Sequence, residues 1–167
     1  NLIELRNKNI VYFKTSFLKF IKNQKNFIFE LPLNSYSKLS FFYLNTLSNK
    51  LLKTSYEEIF NYKYKNIQCG KYSISSAIRT LRTPEINLKN KRHYIVVKFF
   101  LIKSLLLADA SINYLNENKE IEYAVFNDKS YVGAGELFDQ CIHKKIKCIQ
   151  FVASYKNNII LLKKFNE

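Results

Sequence analysis

The chain has 167 residues, 47% of them hydrophobic, which is enough for one domain with a buried core and too few for two large domains. Its formal net charge of +14 raises nucleic acid, anionic membranes and phosphorylated ligands as partner classes. Only 4 of the 27 basic residues are arginines, and the abundance of Lys, Asn, Ile, Phe and Tyr is typical of A/T-rich coding sequence. We therefore expect no nucleic-acid partner, because base and phosphate recognition usually depends on arginine.

In the first third, two short apolar runs predict buried strands at residues 10–13 and 27–31, with a helix at 16–23 between them. From 35 to 54 the apolar residues recur at steps of three and four, which predicts an amphipathic helix with Ser35 as its N-cap.

A tyrosine- and lysine-rich segment at 56–70 shows no clear period, and helical spacing resumes over 72–82 until Thr83-Pro84 ends it. Residues 89–118 predict the longest helix, apolar on most of its surface over 95–107. Its apolar core at 94–110 is interrupted by charges and is too short to span a membrane, so we expect a buried helix between two layers.

The last third carries the clearest topological signal, a strand at 121–126, a helix at 131–144 and a strand at 146–153. This βαβ spacing predicts parallel strands, and a further run at 159–162 suits an antiparallel strand. The fold class we expect for residues 1–167 is a single α/β domain. It should be three-layered and Rossmann-like, with a mostly parallel sheet.

The cysteines predict no metal site. They are Cys69, Cys141 and Cys148, with no C-x-x-C spacing, and His143 is too close to Cys141 to share a zinc ion with it. We expect three reduced thiols buried in the core, and we expect His93 and His143 at the surface.

The candidate binding site follows the first strand of the βαβ unit, because ligands of open parallel sheets bind beyond the carboxyl ends of the strands. That end is polar and then small, running from Asn127 to Gly135. Gly133 and Gly135 would let a ligand approach the backbone, or would only permit tight packing of strand and helix. The G-x-G-x-x-G fingerprint is incomplete here, so we expect no dinucleotide cofactor, and indeed no cofactor at all.

Asp128 is the candidate general base, since a carboxylate at the carboxyl end of a strand could activate an acceptor hydroxyl. The alternative is that Asp128 caps the following helix. Glu136 and Asp139, near the start of that helix, are predicted to be surface charges that complement its dipole.

A second candidate cluster lies on the helix at 72–82. Arg79 and Arg82 are one turn apart, beside serines that include Ser76, and could hold a phosphate or an acidic sugar. The alternative is a solvated helix face.

Two stretches resemble proteins of surface-polysaccharide (capsule-type) biosynthesis that have the two-Rossmann-domain glycosyltransferase architecture called GT-B. Residues 64–80, YKNIQCGKYSISSAIRT, are similar to the family's turn, glycine and helix ending in arginine, although Asn66 stands where a glycine is expected. Residues 131–152 are similar to its "Y-x-x-x-G" loop, helix and "K-x-I-x-V" strand, with Tyr131 and Gly135 as the tyrosine and glycine.

The resemblance implies a glycosyltransferase of bacterial surface polysaccharide, capsular or lipopolysaccharide, of which this chain is the amino-terminal, acceptor-side domain. A glycan or lipid-linked acceptor would bind at 127–135, approached by Arg79 and Ser76. A second domain outside this chain would bind the nucleotide-sugar donor without a metal, so the chain alone should be inactive. We expect a cytoplasmic location, with lysines allowing peripheral contact with the anionic inner face of the plasma membrane.

The alternative function is a nucleic-acid-binding or regulatory α/β module without enzymatic activity. It would be favoured by lysines gathered on one face with exposed aromatic rings between them. A receiver- or flavodoxin-like domain is a third interpretation, disfavoured because the sequence offers neither an acidic cluster nor a phosphate-binding glycine loop.

Overall fold

The computed structural model describes residues 27–28, 38–153 and 160–166. These residues form an α/β structure of helices beside a small mixed sheet, which confirms the predicted class. None of the helices within these ranges is long and apolar enough to cross a membrane. The predicted strand at 10–13 and helix at 16–23 lie outside the described residues, as does most of the predicted strand at 27–31.

The sheet has the order β1 (Phe27–Ile28), β2 (Tyr123–Phe126), β3 (Lys147–Ala153) and β4 (Ile160–Phe165). β2 pairs in parallel with β3, and β4 pairs antiparallel to β3, as the sequence predicts. β2 also pairs in parallel with β1. β4 continues three residues beyond the predicted 159–162, because Lys163 and Phe165 still pair with β3. β2 is buried along its whole length, which suits a central parallel strand.

Five helices are described: α1 (Lys38–Leu51), α2 (Tyr56–Phe60), α3 (Cys69–Leu81), α4 (Lys91–Glu117) and α5 (Gly135–His143). α2 begins at a capping box, in which Ser55 Oγ accepts the Glu58 N–H and the Glu58 carboxylate accepts the Ser55 N–H. α3 ends at Leu81, one residue before the predicted end, and its C-cap Arg82 is left-handed with φ of 54°. Asn90 caps α4 through its side chain.

The segment at 56–70 is ordered by local turns that its composition hides. After α2, Tyr64 and Ile67 exchange backbone hydrogen bonds of 2.9 Å in both directions across a tight turn. Lys65 and Asn66 occupy the turn with φ of 47° and 74°, a pair of left-handed residues typical of a type I′ turn. Asn66 therefore does what a glycine would do here, because asparagine tolerates this conformation.

Two buried clusters make up the described core. In the first, α4 packs against α1, α3 and α5 through residues such as Val97, Leu101 and Leu105. In the second, α5 lies on the sheet through Phe138 and Cys141. The prediction that α4 is apolar on most of its surface and buried holds for this inner face, but Ile95 is 54% exposed.

Gly70 sets the approach of α2 to α3. A Cβ added to Gly70 would lie 1.7 Å from the carbonyl oxygen of Ile59, far inside any contact distance. The Gly70 N–H donates to the Tyr62 carbonyl at 3.0 Å, so the backbone of α3 rests directly on the chain leaving α2. Only a residue without a side chain fits there.

Candidate functional site

A cavity of about 230 Å³ opens at the carboxyl end of β2. Its walls are partly apolar and partly polar, formed by Val125, Phe126, Asn127, Asp128 and Ala134. This is where the parallel sheet predicts a ligand crevice, because β2 ends here and the chain turns away toward α5. We call the segment from Asn127 to Gly135 the crevice loop.

Arg79 comes to the crevice loop from the last turn of α3. Its Nη1 lies 4.0 Å from Oδ2 of Asp128, and its guanidinium carbon lies 4.7 Å from the centroid of the Tyr131 ring. The ion pair is solvent-exposed, with 69% of the Arg79 side chain and 47% of the Asp128 side chain accessible, so it holds the loop only weakly. Both charges therefore remain accessible to a ligand.

Asp128 does not cap a helix, so that alternative is wrong. Its Oδ1 accepts the Ser130 N–H at 2.8 Å, a local turn two residues long. The N-cap of α5 is Ala134, six residues further on, and it has no side-chain cap. One carboxylate oxygen of Asp128 is thus held by the loop, while the other lies on the side of Arg79.

Arg82, the second cation of the predicted cluster, lies past the end of α3 and is exposed. His93 is half-buried, its Nδ1 accepting the Asn87 N–H at 3.1 Å, and His143 is exposed. The prediction of surface histidines thus holds fully for His143 alone.

Ser76 supports the crevice loop from below. It is buried, and its Oγ accepts the Val132 N–H at 2.9 Å. The hydroxyl that the sequence suggests for substrate binding is therefore engaged with loop backbone.

We predict that Ser76→Ala lowers the free energy of unfolding by about 1–2 kcal/mol, because it leaves the Val132 N–H without its acceptor. Urea unfolding would measure it. Ser75→Ala, at a half-buried position on the same helix, is the matched control and should cost less. Equal stabilities of the two variants would show that the bond contributes nothing.

The two glycines of the loop serve different ends. Gly133 has φ of +118°, a conformation that side chains disfavour, although an added Cβ would meet nothing. Gly135 is buried against the Tyr72 ring, and an added Cβ would lie 2.6 Å from a ring carbon. Gly135 thus lets α5 pack closely on α3, whereas Gly133 shapes the loop.

The prediction that Glu136 is a surface charge is wrong. Glu136 is fully buried, with Oε1 2.5 Å from Ser104 Oγ on α4 and Oε2 accepting the Gly133 N–H at 2.8 Å. Burial raises the pKa of Glu136 to about 7. Helical periodicity puts Glu136 on the side of α5 opposite Phe138 and Cys141, which face the sheet, and that side is covered by α4.

Asp139 also departs from the prediction, because it complements another helix. Its Oδ2 accepts the N–H of Gln68, the N-cap of α3, at 2.9 Å. Burial and the nearby negative charge of Asp139 raise the pKa of Tyr72, which lies in the first turn of the same helix. Asp139 thus provides a hydrogen-bond acceptor for an N–H group at the amino end of α3, although the two residues are 71 positions apart in the chain.

Lys129 is a loop residue that no sequence pattern singles out. Its Nζ lies 4.5 Å from the Phe138 ring centroid and 4.7 Å from that of Phe165. Phe138 also meets Phe126 and Phe165 edge to face, at centroid distances of 5.3 and 5.0 Å. The ammonium group therefore covers an aromatic cluster beneath the crevice and anchors the loop there.

The three cysteines are free and buried, as predicted. Burial raises the pKa of Cys69 to about 12, so this thiol stays protonated at neutral pH and is a poor nucleophile. Within the described ranges, no group of three or more His, Cys, Asp or Glu side chains could hold a metal ion.

The fold and the crevice define this chain as an α/β protein with a candidate binding site at a strand's carboxyl end. Comparison with family models, with curated proteins and with solved structures finds no match to the chain.

Proposed function

We propose that the chain is the acceptor-side domain of a glycosyltransferase-type protein of bacterial surface polysaccharide biosynthesis. The observation that supports this proposal is that Arg79 contacts both Asp128, which lines the cavity at the carboxyl end of β2, and Tyr131 of the crevice loop. In this proposal the small mixed sheet belongs to a three-layer, Rossmann-like domain of GT-B type. The ligand is a glycan or a lipid-linked sugar.

The walls of the cavity suit a sugar chemically. Asp128 can accept hydrogen bonds from hydroxyl groups and Asn127 can both donate and accept, while Phe126 and Ala134 offer an apolar surface to C–H groups. A volume of about 230 Å³ is below the range of about 300–1,000 Å³ that is usual for drug-sized ligands. The cavity therefore fits a single sugar unit at the end of a longer acceptor.

In this proposal the two charged side chains near the cavity, Asp128 and Arg79, have different roles. The Asp128 carboxylate would accept the proton of the acceptor hydroxyl as that oxygen attacks the donor sugar. The Arg79 guanidinium would bind an acidic group of the acceptor, and it can do so because its ion pair with Asp128 is exposed and weak. The nucleotide-sugar donor would be bound by a second domain.

The lysines are spread over several elements, and some of them are engaged in contacts within the chain. In the described ranges lysines occur on α1, α3, α4, β3 and β4 and in the loops between them. Lys129 lies over the rings of buried Phe138 and half-buried Phe165, and Lys65 lies 3.5 Å from the Asp109 carboxylate. We propose a cytoplasmic location with peripheral contact between lysines and an anionic membrane.

Binding to an array of bacterial surface oligosaccharides, neutral and acidic, tests the proposal with the purified chain. We expect Arg79→Ala and Asp128→Asn to weaken the strongest interaction by about 10- to 100-fold, since each removes a hydrogen bond to a charged group worth about 1.5–3 kcal/mol. Arg92→Ala, at an exposed position in the first turn of α4, is the matched control and should bind as the unmodified chain does. Absence of binding to every oligosaccharide, or undiminished binding by both crevice variants, would rule out this function.

A further inference from the structure

Glu136 joins the crevice loop to the helices behind it. Its Oε2 holds the Gly133 N–H and its Oε1 meets Ser104 Oγ on α4. Ser104 Oγ also lies 3.3 Å from the carbonyl oxygen of Cys69, at the start of α3. A buried carboxyl group thus connects the loop to α4 and, through one hydroxyl, to α3.

The hydroxyl of Ser104 carries a single proton for two acceptors. If Glu136 is protonated, its O–H donates to Ser104 Oγ and the Ser104 O–H donates to the Cys69 carbonyl, so both short contacts are hydrogen bonds. If Glu136 is ionised, Ser104 must donate to Glu136 instead, and the Cys69 carbonyl keeps only its other donors, such as Ser73 Oγ at 2.7 Å.

Protonation of Glu136 also changes the strength of its hydrogen bond to the crevice loop. Ionised Glu136 presents a full carboxylate to the Gly133 N–H, and a hydrogen bond to a charged acceptor is about twice as strong as a neutral one. Protonated Glu136 presents only a carbonyl oxygen there. The loop should therefore be held more firmly when Glu136 is ionised.

We propose that Glu136 is the positioning residue of the crevice loop and that its proton acts as a switch. Protonation of Glu136 lets the Ser104 hydroxyl donate to the Cys69 carbonyl and weakens the hold on the loop at Gly133. Ionisation turns the Ser104 hydroxyl to Glu136 and strengthens that hold. The link to ligand affinity rests on the proposed function. The switch itself does not, because it consists only of contacts within the chain. Acceptor binding should accordingly be tighter at pH 8 than at pH 6.

The surroundings of Glu136 place the switch near neutral pH. Burial disfavours the charge, and Asp139 on the same helix adds to that effect, whereas the hydrogen bonds from Ser104 and Gly133 oppose it. From α3, Cys69 and Tyr72 face the carboxyl group as weak acids that stay neutral in this range. The pKa of about 7 is the net result.

An NMR titration of the unmodified chain between about pH 5 and pH 9 tests the switch without a ligand. We expect the Glu136 side-chain carboxyl carbon and the Gly133 amide proton to titrate together, with a midpoint near 7. Glu136→Gln, which mimics the protonated form, should abolish the Gly133 titration. Ser104→Ala should move the midpoint upward, because it removes a bond that favours the charged form.

A Gly133 amide that keeps a constant shift in the unmodified chain, or titrates identically in Glu136→Gln, would overturn the proposal. The carboxyl carbon of the unmodified chain decides the matter even if Glu136→Gln fails to fold. A shared titration in a chain that binds no oligosaccharide would leave the switch standing and reject only the glycan function. Affinity that does not rise with pH, in a chain whose loop titrates, would reject the coupling to binding.

Discussion

Gly70→Ala is expected to cost about 3 kcal/mol or more of the free energy of unfolding, at the upper end of what overpacking costs. The new methyl group would lie 1.7 Å from the Ile59 carbonyl oxygen and 3.0 Å from that of Phe60. Both are backbone atoms, which cannot rotate away as a flexible side chain can. α2 must therefore separate from α3, and the hydrogen bond from Gly70 to Tyr62 is strained with it.

Whether Gly70→Ala stabilises or destabilises the protein distinguishes the effect of packing from that of helix propensity. Alanine is preferred over glycine inside a helix by about 0.5–1 kcal/mol, so propensity alone predicts that Gly70→Ala stabilises α3. Urea unfolding followed by circular dichroism would measure the change. Lys71→Ala, at the adjacent exposed position, is the control and should change stability little. A Gly70→Ala chain as stable as the unmodified protein would contradict the contact with Ile59.

The second large effect is on the pH dependence of stability. The pKa of Glu136 is about 7 in the folded protein, against an ordinary value of 4.5. A carboxyl with a raised pKa stabilises the fold fully below its unfolded pKa, and this contribution is lost as pH rises toward the folded pKa. The loss should run from about pH 4.5 to about pH 7 and reach roughly 3 kcal/mol.

Glu136→Gln should be free of this loss, because a carboxamide can keep both contacts without a charge. Its oxygen can accept the Gly133 N–H and its amide group can donate to Ser104. We expect the variant and the unmodified chain to have similar stability at pH 5, and the variant to be more stable by up to roughly 3 kcal/mol at pH 8. Ionised Glu136 thus holds the loop more firmly while it lowers global stability, since burying the charge costs more than one bond returns.

Urea unfolding at several pH values between about 5 and 8 would measure this difference. Glu85→Gln, at an exposed position, is the matched control and should follow the unmodified chain at every pH. If the difference between Glu136→Gln and the unmodified chain stays constant with pH, Glu136 has no raised pKa.

Local patterns determined much of the fold. Short apolar runs and helical periodicity predicted the βαβ unit from β2 to β3, the antiparallel β4 and the long helix α4, because each depends on which residues must leave water together. α2 and the turn at Lys65 and Asn66 were missed, since one capping box and two left-handed residues produce no period. Helix ends differed by a few residues for the same reason.

The position of the candidate site followed from topology, whereas its contacts did not. The sequence by itself determined that the crevice loop follows a buried strand, and that Arg79 ends a helix elsewhere in the chain. Only the tertiary structure decided that Arg79 meets Asp128, that Ser76 is taken up by loop backbone, and that Glu136 lies buried between α5 and α4. Helical periodicity shows which side of α5 is apolar, but it cannot show that a second helix packs on the polar side. Contacts between residues 32 to 71 positions apart depend on how the layers close, and no local pattern carries that information.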